Sequence, residues 1–338
     1  MKFLRSAAVV VPAMIGAAST AGAQQGGPYA PLVLFMPAGA RTLAMGNTGV
    51  AGRDDDVLFF NPAQLFVARG TSASLERYSA NSAGGSLSSV TKLNNSAVAI
   101  GMRYVEYSPS TGSPDAPPGL SPFPGTRASA LGDGDGAGSS VEASVGYARV
   151  FKTVRFGGVA KYVEDEVPGI RVGRAAFDLG LARDFFRTYA VGLSVQNIGK
   201  NMTASCDVIP RPAIGTCEVP PLVPGAVAPP ATSSIYLPLR TTLGVSHSRQ
   251  LGEFDLLATA SASMLRKDFF IPSGGAELGY SWIDGYNVAL RGGLRRPVTG
   301  ESPVTAGAGI TADRVSIDYA LETLTGGRVA HRVGIRIR

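Results

Sequence analysis

VSIDYALE, residues 315–322, is the stretch that decides the fold. Val315, Ile317, Tyr319 and Leu321 alternate with Ser316, Asp318, Ala320 and Glu322. One face is wholly apolar and the other is small or charged. A period of two means a strand with two unlike faces. The same period recurs at Phe177, Leu179 and Leu181 against Asp178, Gly180 and Ala182. It recurs at Tyr189, Val191, Leu193 and Val195 against Ala190, Gly192, Ser194 and Gln196, and at Val141, Ala143, Val145 and Tyr147 against Glu142, Ser144, Gly146 and Ala148. A soluble β-sandwich also alternates, with its apolar face inward. Here the opposite face is mostly Gly, Ala and Ser with occasional charges. That composition suits a crowded barrel interior better than a solvated surface, and turns the apolar face toward lipid.

About fourteen such segments occur, an even number as single-chain bacterial barrels require. They start near residues 71, 85, 95, 140, 153, 174, 188, 239, 253, 276, 286, 303, 314 and 329. The connections sort by parity. Every second one is short: Leu93-Asn94, Lys152, Asp184 to Arg187, Arg249 to Gly252, Asp284-Gly285 and Ala312-Asp313. The others include two long loops, Ser108 to Ser139 and Ile198 to Leu237. A sandwich has no reason to sort its loops this way, whereas an outer-membrane barrel has short periplasmic turns and longer external loops. The expected fold is therefore an all-β transmembrane antiparallel barrel of about fourteen strands over residues 71–338.

The front of the chain fits export. Met1 to Ala23 carries Lys2 and Arg5, an apolar core from Ala7 to Ala18, and the small-x-small end Ala21-Gly22-Ala23. This pattern is a signal peptide, 1–23, cleaved near Ala23 after Sec export. No later stretch offers the about 18 uninterrupted apolar residues of a spanning helix. The chain's two cysteines, Cys206 and Cys217, share one polar, proline-rich stretch, and in an oxidising compartment such a pair forms a local disulfide.

Chemistry finds little purchase. A Ser/His/Asp triad would need His247 or His331 as base, and both continue the apolar faces of strands. LGDGDGAGSS, residues 131–140, resembles a calcium loop, but the twelfth position from Asp133 is Ser144, not glutamate. The two histidines and two cysteines form no metal array, and no cofactor is expected. The formal charge of +6 is spread through turns and loops, without a nucleic-acid footprint. Inside the barrel, Arg291 and Arg295 are expected to pair with carboxylates such as Asp178, Asp318 and Glu322.

One segment stands apart: GARTLAMGNTGVAGRDDDVLFFNPAQL, residues 39–65. It lies between the signal and the first strand. Asp54 or Asp55 can cap a short helix through Phe60, and Pro62 stops it. A half-apolar helix here has the barrel mouth within reach to bury Leu58, Phe59 and Phe60. Residues 24–70 are therefore expected to form a plug, with Asn61-Pro62 making the turn into the first strand. The pattern formed by Gly39, Ala40, Arg41, Leu43, Met45, Gly46, Val50, Ala51, Asp54, Asp55, Asn61, Pro62, Ala63 and Leu65 resembles the N-terminal signature of the PorV/PorQ family of outer-membrane barrels, relatives of the FadL-type transporters. Residues 307–338 look like that family's final hairpins. Gln64 departs from the family's usual glycine, and the chain closes on Ile337-Arg338 rather than an aromatic residue. The resemblance implies a Gram-negative outer-membrane protein assisting type IX secretion, meeting sorting-domain cargo and the translocon. The alternative it implies is a FadL-like passive transporter of hydrophobic small molecules. Either protein would contact outer-membrane lipid and lipopolysaccharide.

Overall fold

The computed structural model describes residues 31–79, 82–107, 138–167, 170–186, 188–205, 232–235, 237–265, 269–297, 301–324 and 329–338. The expected signal peptide, most of the first long loop, and Cys206 and Cys217 lie outside the described residues.

The strands in chain order are β1 (Gly70–Ser79), β2 (Ser82–Lys92), β3 (Ser96–Tyr107), β4 (Gly138–Phe151), β5 (Val154–Val167), β6 (Ile170–Phe185), β7 (Tyr189–Ile198), β8 (Met202–Ser205), β9 (Thr232–Ile235), β10 (Arg240–Leu251), β11 (Phe254–Leu265), β12 (Phe269–Ile283), β13 (Tyr286–Arg295), β14 (Glu301–Ala312), β15 (Val315–Leu324) and β16 (Val329–Ile337). All except β8 and β9 form one closed antiparallel barrel of fourteen strands, each paired with its chain neighbours. β1 closes on β16, with Thr71 opposite Ile337 and Arg77 opposite His331. β8 and β9 form a separate two-stranded antiparallel sheet within the long connection between β7 and β10, where the sequence suggested only loop.

Three strands begin three or more residues earlier than the periodicity indicates: β2 at Ser82, β6 at Ile170 and β12 at Phe269. In each case the extra residues include Gly, Pro or small polar groups that dilute the alternation. Pro272 and Gly274-Gly275 do this in β12. The tight turns at one end need left-handed backbone, as two-residue hairpins do. Gly252 and Gly285 supply it, and Lys152 and Asp313 adopt it with φ of 57° and 54°. We call this the short-turn end; residues 108–137 and 199–239 connect strands at the other, the long-loop end.

Burial follows the alternation. In β16 every second residue is buried, Ala330, Arg332, Gly334 and Arg336 inward, with His331, Val333 and Ile335 outward. The outward side chains are large and apolar; Leu75, Ile100 and Leu290 are 75%, 64% and 63% exposed, the signature of a lipid-facing wall. Near the short-turn end an aromatic belt marks the level of a membrane boundary. In it Phe254, Tyr280, Trp282 and Tyr286 run ring to ring at 5.3, 6.5 and 6.2 Å. Both histidines face outward: His247 stacks on Tyr189, and His331 Nδ1 lies 2.6 Å from the Tyr319 hydroxyl.

Candidate functional site

Residues 31–69 lie inside the barrel, and eleven inward glycines record their path. A side chain on Gly101 would strike Leu58 and Phe59, one on Gly157 would strike Pro62, and one on Gly180 would strike Asn61. Gly244, Gly275 and Gly293 stand against Val50, Met45 and Gly46 in the same way. Small residues on the inner face are thus the places where a second backbone approaches the wall. They serve a packed interior, not a water-filled pore.

At the long-loop end, Leu32, Val33 and Leu34 form one apolar cluster with Tyr78, Val105, Val163, Ala176, Met202, Leu237 and Ala330. The chain then descends along the seam where the barrel closes. Arg103 donates to the Met36 carbonyl at 3.1 Å, Arg332 to that of Pro37, and Ser74 to that of Ala38 at 2.9 Å. Arg332 also donates from Nε to Glu76 at 2.8 Å, across the β1–β16 pair. A short α-helix, Ala40–Ala44, buries Ala40, Leu43 and Ala44 on Ala320. From there the segment passes β13 and β14, then β10 and β7, and ends against β2 to β6. The Gly46 amide donates to Thr305 at 3.2 Å, and Ser246 donates to the Ala51 carbonyl at 3.2 Å.

Two expectations for this segment need correcting. The helix after the aspartates is a 3-10 turn, Asp55–Phe59, and Asp54 makes no side-chain cap to it. Asn61-Pro62 does not lead into the first strand. Asn61 caps a further 3-10 turn, Pro62–Phe66, accepting from the Ala63 amide at 3.1 Å, and β1 begins only at Gly70. The Asn61 amide nitrogen donates to Val50 at 2.9 Å and to Leu181 in β6 at 3.1 Å. Asn61 is fully buried, so these bonds tie the segment both to itself and to the wall. Pro62 fits because the first helical position needs no amide proton. Gln64 and Ala63 beside it are also fully buried.

Asp54 serves an ion-pair ring instead of a cap. Its carboxylate takes Arg41 at 2.6 Å and Arg336 at 2.7 Å, with Arg338 at 3.0 Å. Arg41 reaches on to Glu277 at 2.6 Å, and Glu277 pairs with Arg291. Arg291 pairs with Asp318 at 2.7 Å, and Asp318 with Arg336 at 2.8 Å, which closes the circuit. Three arginines and three carboxylates thus alternate around a closed ring that joins the internal segment to β12, β13, β15 and β16. Burial pushes the Asp54 carboxyl up, but Arg41, Arg336 and Arg338 together outweigh it and hold it well below the usual carboxylate range.

Other inner charges among the described residues are also paired. Arg295 meets Glu322, as the sequence suggested, while Asp178 meets Lys161 at 2.8 Å rather than Arg291 or Arg295. Asp178 and Lys161 sit on adjacent strands at nearly the same height, Val159 being opposite Asp178. Arg291 and Arg295 lie across the lumen on β13. Arg103 meets Glu142, and Arg155 meets Asp184 at 2.7 Å. Sequence reading missed Arg336 as a partner of Asp54 and Glu277 as a partner of Arg41. Their inward register was legible, but nothing local says which inward charge meets the internal segment.

Three expected results follow. Asp54→Ala leaves Arg41, Arg336 and Arg338 facing one another and should cost about 3–5 kcal/mol, the range for removing one partner of a buried pair. A lowered midpoint in heat-modifiable gel migration checks it. Because the folded pKa of Asp54 is depressed, its contribution is in place above the unfolded value of about 3.9 and is lost as pH falls below that. Protease protection of the segment should therefore be unchanged from neutral to mildly acidic pH. Gly293→Val should dislodge the segment, since its Cβ would press on the Met45 carbonyl carbon and the Gly46 amide, backbone atoms that cannot swing aside. Proteolysis near residue 46 in a barrel that still migrates as folded is the expected readout. Full protection would contradict it.

No family model and no curated relative matches the chain. Solved structures do. The Pseudomonas putida toluene transporter TodX is 12% identical, with 93% of this chain and 98% of that chain covered and a TM-score of 0.53. The Ralstonia pickettii toluene transporter TbuX is 13% identical, with 89% and 98% covered and a TM-score of 0.52. A Pseudomonas aeruginosa FadL homologue is 11% identical, with 89% and 98% covered and a TM-score of 0.53. At these identities the likeness shows a shared fold: the chain is a closed fourteen-stranded barrel of the architecture seen in FadL-type outer-membrane proteins.

Proposed function

We propose that this protein is an outer-membrane channel for hydrophobic small molecules, closed in the present form by residues 31–69 acting as a plug. The observation that carries the reading is the apolar cluster at the long-loop end, lined by Tyr78, Val105, Val163 and Ala176 of the wall and filled by Leu32–Leu34. An apolar lining inside a membrane wall, filled by a segment of the same chain, suits an apolar solute better than an ion. The similar folds include toluene transporters, which supports this alternative over secretion. On this reading the long-loop end faces outward, toward lipopolysaccharide, and the short-turn end faces the periplasm. The test is uptake of a labelled monoaromatic hydrocarbon by cells producing the protein, with an assembly-defective variant as control. A clear rate advantage supports the proposal, and equal rates refute it.

The N-terminal pattern Gly39–Leu65 favours one second reading, assistance to type IX secretion. Cross-linking in mild detergent separates the two. Recovery of sorting-domain cargo or of the translocon would favour secretion, and recovery of bound apolar small molecules would favour transport.

A further inference from the structure

The aromatic belt at the short-turn end has two unlike arcs. On β11 to β13 it consists of Phe254, Tyr280, Trp282 and Tyr286, with no lysine or arginine at that level and Asp284 in the adjoining turn. On β4 to β6 the outward residues are Arg149, Phe151, Phe156, Arg183 and Phe185, and Lys152 occupies the turn. The burial pattern of β4 puts Arg149 on the lipid side with Val145 and Tyr147, while Ala148 faces in. Arg183 shares the outer face of Leu179 and Leu181, and Ala182 faces in.

Register brings these cations together. Arg149 lies opposite Phe156, Phe156 opposite Leu181, and Arg183 opposite Val154. Arg149 and Arg183 therefore flank β5, about 10 Å apart across the sheet and about 7 Å apart along it. Two arginine side chains are long enough to reach one group held between them. Lys152 Nζ lies 5.7 Å above the Phe151 ring, and the Arg183 guanidinium 4.8 Å from the Phe185 ring, so both cations rest on the belt itself. No described carboxylate on this outer face answers them. Asp184, next in sequence to Arg183, faces inward, where Arg155 takes it with two bonds of 2.7 Å and Arg53 approaches at 3.4 Å.

We propose that this arc binds the headgroup phosphate of an anionic phospholipid in the leaflet at the short-turn end. Arg149 and Arg183 hold the phosphate oxygens from either side and Lys152 covers it from the water. An aromatic belt sits at headgroup depth, and basic groups there attract anionic lipid. Guanidinium forks match phosphate geometry. The opposite arc, with rings and no cations, is a built-in comparison. The inference rests on the membrane-spanning barrel and not on what passes through it.

The test is native mass spectrometry of the full-length protein released from nanodiscs of equal phosphatidylglycerol and phosphatidylcholine. The wild type should retain phosphatidylglycerol several-fold over phosphatidylcholine. R149Q/K152Q/R183Q should lose that preference, while R249Q/R314Q, which removes cations elsewhere at the same end, should keep it. Heat-modifiable migration verifies that each variant is folded. Should the triple variant fail to assemble, R149K/R183K preserves charge but not the forks and should weaken the preference. No lipid preference in the wild type overturns the proposal. So does an equal loss in R249Q/R314Q, which would mean diffuse attraction and no site.

Discussion

A barrel lacking residues 39–60 is expected to conduct ions in planar bilayers, whereas the intact protein stays closed. The deletion removes the helix on Ala320, Gly46 against Gly293, Val50 against Gly244, and Leu58 and Phe59 against Gly101. At those contact points the wall offers glycine, too small to fill the space left behind. The same deletion strips Arg336 and Arg338 of Asp54, and Gln196 of the Phe59 carbonyl that it holds at 2.8 Å. These groups then meet water, which a flooded lumen supplies at little cost. The wall itself should survive, because the β1–β16 ladder from Thr71 to Arg77 does not involve the deleted residues. Single-channel recording and heat-modifiable migration report the two halves of the expectation separately. A variant that folds but stays closed would assign closure to other parts of the chain. A variant that cannot fold would make residues 39–60 a structural core and end the plug proposal.

The second large effect concerns the lipid face. Leu290→Arg should block assembly, and Tyr286→Arg should be tolerated. Both residues face outward on β13, but Tyr286 opens the strand beside the short turn and Leu290 lies further along, between Leu278 and Ala308. An arginine on the lipid side costs about 2–4 kcal/mol at the midplane and about 0–1 kcal/mol near the interface. Folded fractions in lipid vesicles should follow that order. Equal damage would contradict the assigned membrane depth. An Asp318→Arg variant is a poor lumen control, because Asp318 holds both Arg291 and Arg336 in the ring.

Much of this molecule is legible along the chain. The alternation in Val315–Glu322 gives both faces of β15 correctly, with Ile317 and Tyr319 outward and Asp318 and Ala320 inward. Strand number and the parity of the turns follow from the same local pattern. The internal segment was harder to read. Its apolar run Val57–Phe59 is buried, but the helix there is a 3-10 turn, and Asp54 lies in an ion-pair ring where capping chemistry pointed to a helix start. Capping rules describe a helix end in water, and inside the barrel three arginines compete for the same carboxylate.

By itself the sequence determined the wall, because a strand's period of two is fixed by its own backbone and requires only that each face meet one kind of surroundings. The tertiary structure alone decided the partners. Arg41 and Glu277 are 236 residues apart, and Asp54 and Arg336 are 282 apart. Every inward charge carries the same local signature. Which one lies at the height where the internal segment passes depends on strand register and barrel closure, and those exist only once the whole chain has met itself.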